Sequence, residues 1–137
     1  MQPPLDEAGA FIGSKVEIHP DTAQAEATLA TLRTPEGKAC LAASLATVLE
    51  AVPGQHVGDV ELVERAWEGP GDDAVAYRAA VPLSGEGYDV IWFSDLVTIR
   101  DGRALVDMAF GHQDEPVAAA EQQRLAATVL DRIPAAP

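Results

Sequence analysis

The alternation of apolar and polar residues over positions 73–112 predicts three consecutive β-strands. Apolar side chains recur at every second position from 74 to 83, and two further apolar runs follow over 88–100 and 103–110. The dipeptide Asp101-Gly102 between the last two runs is typical of a two-residue hairpin turn, because both residues tolerate positive φ. We therefore predict a three-stranded antiparallel meander at the centre of the fold.

Weaker patterns on either side predict the remaining elements. Asp21 is a suitable N-cap for one helix, and Thr34 followed by Pro35 is a suitable start for a second, amphipathic helix. The predicted elements are a strand over 10–18, helices over 21–32 and 34–52, a strand over 57–67, the meander, and a final helix over 116–132 capped by Asp114 or Glu115.

The order β-α-α-β-β-β-β-α groups most of the strands together. It predicts an α+β fold, in which an antiparallel sheet of about five strands carries helices packed mainly on one face. We expect residues 1–9 to form a flexible lead and residues 10–134 to form a single domain.

The two turns of the meander set its register. We place the first turn at 85–86 and the second at 101–102. The first turn then places Arg78 opposite Phe93 and diagonal to Asp95. Because long side chains on such a diagonal can reach each other, Arg78 and Asp95 are predicted to form an ion pair on one face of the sheet.

Both faces of the predicted sheet are apolar, whereas a half-solvated antiparallel sheet shows one polar face. Three explanations remain open: helices cover both faces, a bulge exchanges the faces midway, or one face binds a ligand, a lipid or a second copy of the chain. The candidate ligand-binding residues, drawn from both faces, are Tyr77, Arg78, Trp92, Phe93, Asp95, Met108 and Phe110.

The net charge and the motifs that the sequence lacks argue against several classes of function. A formal net charge of −13 repels phosphate backbones, so nucleic acid is not an expected partner. The sequence contains no nucleophile elbow, phosphate-binding loop or zinc-binding histidine spacing, and we predict neither a metal nor a cofactor. Cys40 is the only cysteine and lies in an apolar helical pattern, which predicts a small buried hydrophobic residue.

A resemblance to a known family is carried by four segments in a fixed order. These segments are 16–21 (VEIHPD), which runs into 23–32; 34–36 (TPE), which leads to Cys40-Leu41; 73–78 (DAVAYR); and 95–103 (DLVTIRDGR). They resemble extracytoplasmic sensor-like lipoproteins of actinobacteria and, more distantly, the extracellular domain of actinobacterial receptor serine/threonine kinases. The resemblance covers residues 10–133 and implies a secreted or lipid-anchored, non-catalytic α+β domain that binds a ligand in a cleft.

Two functions stay open at this point. The leading hypothesis is a non-enzymatic, extracytoplasmic ligand-binding or sensor-like domain for a small hydrophobic molecule or lipid, with a homodimer through the sheet as a further expectation. The chain start, 1–7, looks like a spacer from which a signal segment has been removed. The alternative is a small cytoplasmic enzyme that acts on a hydrophobic metabolite, with Asp95 or Asp107 as general acid or base.

Overall fold

The computed structural model describes residues 10–133, and their backbone is organised by one antiparallel sheet. Its elements are β1 (Ala10–Ile18), α1 (Thr22–Leu32), α2 (Pro35–Glu50), β2 (His56–Val57), β3 (Val63–Arg65), β4 (Asp73–Gly85), β5 (Tyr88–Asp101), β6 (Ala104–Gln113) and α3 (Ala119–Asp131). The strand order is β1-β6-β5-β4-β2, and β3 also pairs with β4. The predicted α+β class with an antiparallel sheet is confirmed, and the predicted lead over 1–9 lies outside the described residues.

Two details of the predicted elements are wrong. The single strand expected over 57–67 is two short strands, β2 and β3, separated by a stretch without regular structure. The last helix begins at Ala119, and its N-cap, Ala118, makes no side-chain capping hydrogen bond. Asp114 does not cap this helix, because it lies four residues before the N-cap position and its side chain accepts a hydrogen bond from Ile91 N at 3.4 Å instead. The cap predicted at Asp114 or Glu115 is therefore wrong.

The first two helices begin as their sequences predict. The Asp21 carboxylate accepts a hydrogen bond from Gln24 N at 2.8 Å, and the Thr34 hydroxyl accepts one from Gly37 N at 3.0 Å. Each bond satisfies a backbone N–H that the first turn of a helix leaves without an intrahelical partner.

Both hairpin turns of the meander are displaced by one residue from their predicted positions. The β4–β5 turn is Glu86-Gly87, and the β5–β6 turn is Gly102-Arg103. The reason is conformational: Gly87 and Gly102 have φ values of 85° and 60°, which glycine adopts without steric cost.

Each displaced turn moves the strand pairing by two residues. Arg78 therefore lies directly opposite Asp95, and the predicted pairing of Arg78 with Phe93 is wrong. Because side chains alternate with a period of two, a shift of two residues leaves every side chain on its predicted face. The predicted ion pair is present, with Arg78 Nε 2.7 Å from Asp95 Oδ1.

Helices pack on both faces of the sheet, which explains why both faces are apolar. Two helices, α1 and α2, cover one face, so the prediction that helices lie mainly on one face is confirmed. The third, α3, covers part of the opposite face. The buried residues of the first core are Ala25, Leu29, Leu49, Leu62, Val75, Tyr77, Ala79, Val81, Leu83 and Leu105. Those of the second core are Ala76, Val97, Ile99, Val106, Met108, Phe110 and Ala126.

Cys40 is exposed, and the prediction that it is buried is wrong. It precedes Leu41 by one position and is therefore rotated about 100° around the helix from the stripe that faces the sheet. The apolar residues next to Cys40 in the sequence therefore do not indicate that it lies on the inner face of α2.

The junction of α1 and α2 depends on a close backbone approach. Gly37 in the first turn of α2 is buried, and a Cβ atom at this position would collide with the carbonyl oxygen of Thr31. Glycine is therefore required for α2 to pack this tightly against the end of α1.

We expect Gly37→Ala to lower the free energy of unfolding by about 2 kcal/mol, because the added methyl group forces the two helices apart. Helix propensity alone predicts the opposite sign, a gain of about 1 kcal/mol. Urea unfolding monitored by circular dichroism distinguishes the two, and a stabilised variant would contradict the close approach.

A groove between the helices and the sheet

The second helix of the α1–α2 layer leaves a groove open above the sheet. α2 makes most of its close backbone contacts with α1 and β2 rather than with β5 and β6. The space beneath it forms two contiguous cavities of about 450 and 570 Å³. Both cavities are bordered by Phe11, Leu41, Leu96 and Ala109. We call this combined space the helix–sheet groove.

The larger cavity is lined mainly by apolar side chains of α2 and β5. Its helix side is formed by Leu45 and Val48 of α2 and by Val52 just after the helix, and its sheet side includes Val90 and Trp92. Val48 and Val52 are 59% and 48% exposed, so the rim of the groove presents apolar surface to solvent. Exposed aliphatic side chains along one edge of a concave site are typical of surfaces that bind an apolar partner.

Neutral polar groups close the outer end of the larger cavity. Tyr88 Oη donates a hydrogen bond to Gln55 Oε1 at 3.0 Å, and Gln55 Nε2 donates to Leu49 O at 2.7 Å. Trp92 Nε1 donates to Ser94 Oγ at 2.9 Å, which fixes the plane of the indole along the sheet side.

The smaller cavity combines an apolar wall with two oriented polar groups. Tyr77 Oη donates to Leu32 O at 2.7 Å, and burial raises the pKa of this phenol, so it remains a protonated donor. Asp107 Oδ1 accepts a hydrogen bond from Thr98 Oγ1 at 2.7 Å, which orients the carboxylate at the cavity wall.

A separate polar network lies on the opposite face, beneath α3. The Asp95 side chain is 1% exposed. It accepts hydrogen bonds from Arg78 Nε and Nη2 at 2.7 and 2.9 Å, from Arg65 Nη1 at 2.9 Å and from Gln122 Nε2 at 2.6 Å. The hydrogen bonds to Asp95 raise the pKa of Arg78, so its guanidinium stays charged. Both oxygens of this carboxylate are already bonded to protein donors, as a buried charge requires.

The residues predicted to bind a ligand do not form one site. Tyr77 and Trp92 line the helix–sheet groove. Arg78 and Asp95 belong to the network on the other face. Met108 and Phe110 are buried in the core beneath α3, and Met108 also borders the smaller cavity. Phe93 is half-buried on the α3 face.

Sequence reasoning missed the groove residues contributed by α2 and β1. The signal for α2 was present in the apolar stripe of its amphipathic pattern, but periodicity does not distinguish a side chain packed on the sheet from one that borders an open groove. Phe11 borders both cavities because it alternates toward the α1–α2 face at the edge of the sheet.

Comparison of the chain with protein-family models, with curated proteins and with solved structures gives no match. Within residues 10–133, no three His, Cys, Asp or Glu side chains are grouped closely enough to hold a metal ion. The function is therefore inferred from the helix–sheet groove itself.

We expect Asp95→Asn to lower the free energy of unfolding by about 3 kcal/mol, because it leaves two partly buried guanidinium groups without a counter-charge. Urea unfolding at pH 7 provides the measurement. Asp89→Asn, at an exposed position of the same strand, is the matched control and is expected to change stability by less than about 0.5 kcal/mol. Equal effects of the two substitutions would show that the network does not stabilise the fold.

Proposed function

We propose that this chain is a non-enzymatic, extracytoplasmic ligand-binding or sensor-like domain that holds a small hydrophobic molecule or lipid in the helix–sheet groove. The observation that carries the proposal is the groove, an apolar space between α2 and the sheet that the described side chains leave unfilled. Protein interiors are close-packed, so an open space of this size beside the core is unusual for a fold that has only to be stable.

The dimensions of the groove suit a small ligand. Its cavities of about 450 and 570 Å³ fall within the range of about 300–1,000 Å³ that is typical of ligand sites. A bound molecule would cover Val48 and Val52, and each 100 Å² of apolar surface removed from water stabilises a complex by roughly 2.5 kcal/mol before the costs of association.

The shape and charge of the groove favour an elongated ligand without an anionic head. Residues of β5 from Tyr88 to Thr98 border it, a distance of roughly 33 Å along an extended strand. Lys15 is the only cationic side chain that borders either cavity within the described residues. Its Nζ lies 3.9 Å from Glu17 Oε2. A carboxylate or phosphate head would find little compensating charge there.

The hydrogen bonds that Asp95 accepts support the proposal that this chain is not an enzyme. Its oxygens accept hydrogen bonds from two arginines and a glutamine, which leaves it poorly suited to accept a proton from a substrate. Asp107 supports the alternative, a small enzyme acting on a hydrophobic metabolite, because it borders the smaller cavity. Asp107→Asn separates the two functions: binding of an apolar ligand should survive it, whereas general acid–base catalysis should not.

The extracytoplasmic location enters the proposal through the resemblance to actinobacterial sensor-like lipoproteins. Among the helices of residues 10–133, none combines the length and the apolar character needed to cross a lipid bilayer. Fractionation of cells that express the full-length gene product would test the location independently of ligand binding.

We expect the neutral dye N-phenyl-1-naphthylamine to bind saturably, with an increase in its fluorescence. Ala109→Trp should weaken binding by about tenfold or more, which corresponds to about 1.4 kcal/mol, because Ala109 borders both cavities and an indole would occupy their junction. A fluorescence titration at fixed ionic strength gives the dissociation constants.

The control for this titration is Ala80→Trp. Ala80 is an exposed alanine of β4 on the opposite face of the sheet, so its substitution adds the same side chain outside the groove. We expect it to leave the dye affinity within about twofold. Failure of the wild-type chain to bind the dye, or equal loss in both variants, would contradict the proposal.

A further inference from the structure

Among the described residues 10–133, the first strand is an edge of the sheet. Just past the end of β1, the backbone N–H of His19 donates to Arg103 O at 2.9 Å, in register with the β1–β6 pairing. Because hydrogen-bonded and non-hydrogen-bonded pairs alternate in an antiparallel ladder, odd-numbered residues of β1 bond to β6. The backbone groups that point outward therefore belong to the even-numbered residues, Ile12, Ser14, Val16 and Ile18.

Three of these four residues present apolar side chains to solvent. Ile12, Val16 and Ile18 are 37%, 44% and 48% exposed, and they lie on the α3 face of the sheet. Among the described residues, the core beneath α3 includes none of these three side chains. An edge strand with free backbone groups and an apolar face is a ready template for pairing with another strand.

We propose that β1 pairs antiparallel with β1 of a second copy of this chain, about a two-fold axis through Val16, so that two sheets join edge to edge. The occupant is a second copy because the charges of β1 are complementary to the same charges in an antiparallel neighbour. This inference concerns the edge of the sheet and does not require a ligand in the helix–sheet groove, although Lys15 and Glu17 also border the smaller cavity.

Four registers pair the middle of one β1 strand with the middle of the other, with the two-fold axis at Ser14, Lys15, Val16 or Glu17. The charge pattern selects one of them. Pairing about Ser14 places the two copies of Lys15 on a diagonal, and pairing about Lys15 places them directly opposite. Pairing about Glu17 places the two glutamates opposite each other. Only pairing about Val16 places Lys15 of each copy opposite Glu17 of the other, and cross-strand pairs of opposite charge stabilise a sheet by roughly 0.2–1 kcal/mol each.

The selected register also uses the outward backbone groups and the exposed apolar residues. Val16 and its symmetry mate form one hydrogen-bonded pair, and Ser14 and Ile18 form two more, for about six backbone hydrogen bonds. On the α3 side, Ile18 of one copy lies beside Val16 and Ile12 of the other. Such an isologous contact, in which one patch meets itself, is the usual arrangement of a two-fold dimer.

The overall charge of the chain opposes self-association and sets the conditions for its measurement. Each copy carries a formal net charge of −13. Repulsion between distant charges is largely screened beyond about 8 Å at an ionic strength of 0.15 M, while directly opposed Lys15 and Glu17 side chains lie closer than this. We expect a weak dimer that forms at high micromolar concentration.

The test is a charge reversal followed by sedimentation equilibrium at 0.15 M salt. Lys15→Glu or Glu17→Lys alone should raise the dimer dissociation constant on the order of tenfold, because each creates two repulsive pairs. The double variant K15E/E17K should restore association. An equimolar mixture of the two single variants should form a heterodimer, because the two acidic side chains of the K15E strand then face the two lysines of the E17K strand.

The matched control is Glu64→Lys, the same charge change on the exposed short strand β3, away from β1. It should leave the dissociation constant within about twofold, and thermal unfolding of every variant shows whether the fold is retained. A monomeric wild-type chain, a dimer unaffected by either single variant, an equal effect of Glu64→Lys, or single variants that do not associate with each other would overturn the proposal.

Discussion

The Asp95 carboxylate connects four parts of the fold that are distant in sequence. From its position on β5 it accepts hydrogen bonds from Arg78 on β4, Arg65 on β3 and Gln122 on α3. Gln122 in turn accepts a hydrogen bond from Arg65 and donates one to Val117 O. Because a buried charge is costly unless it is fully hydrogen-bonded, these contacts favour one register of β4 on β5 together with one position of α3.

The groove follows from how unequally the two faces of the sheet are covered. On the network side, α3 packs against the sheet and anchors itself through Gln122. On the other side, α1 packs closely through Ala25 and Leu29, while α2 is held at its start by the Gly37 contact and reaches the sheet mainly at β2. Because α2 is supported mainly by α1 and β2, it passes over the strands that lie between these two elements. The apolar space beneath it remains open.

The hydrophobic pattern was sufficient for much of the fold. Alternation over β4, β5 and β6 and the N-caps at Asp21 and Thr34 are local properties, and the structure confirms the elements they predict. Pairing of Arg78 with Asp95 was also predicted, because a two-residue error in register does not change the face of a side chain. Arg65 and Gln122 were not predicted partners, since nothing near either residue in the sequence indicates that a carboxylate 30 and 27 positions away shares their surroundings.

The candidate site could be predicted only in part from local sequence patterns. Tyr77 and Trp92 were predicted to bind a ligand and do border the groove, but they were grouped with Arg78, Asp95 and Phe110, which lie on the other face. The sequence by itself determined the strands, most helix boundaries and the apolar character of both faces, because these depend on neighbours along the chain. Tertiary structure alone decided that α2 contacts mainly α1 and β2 rather than β5, that Cys40 faces solvent and that Asp95 is enclosed by arginines, because these depend on the distances between elements that no periodicity encodes.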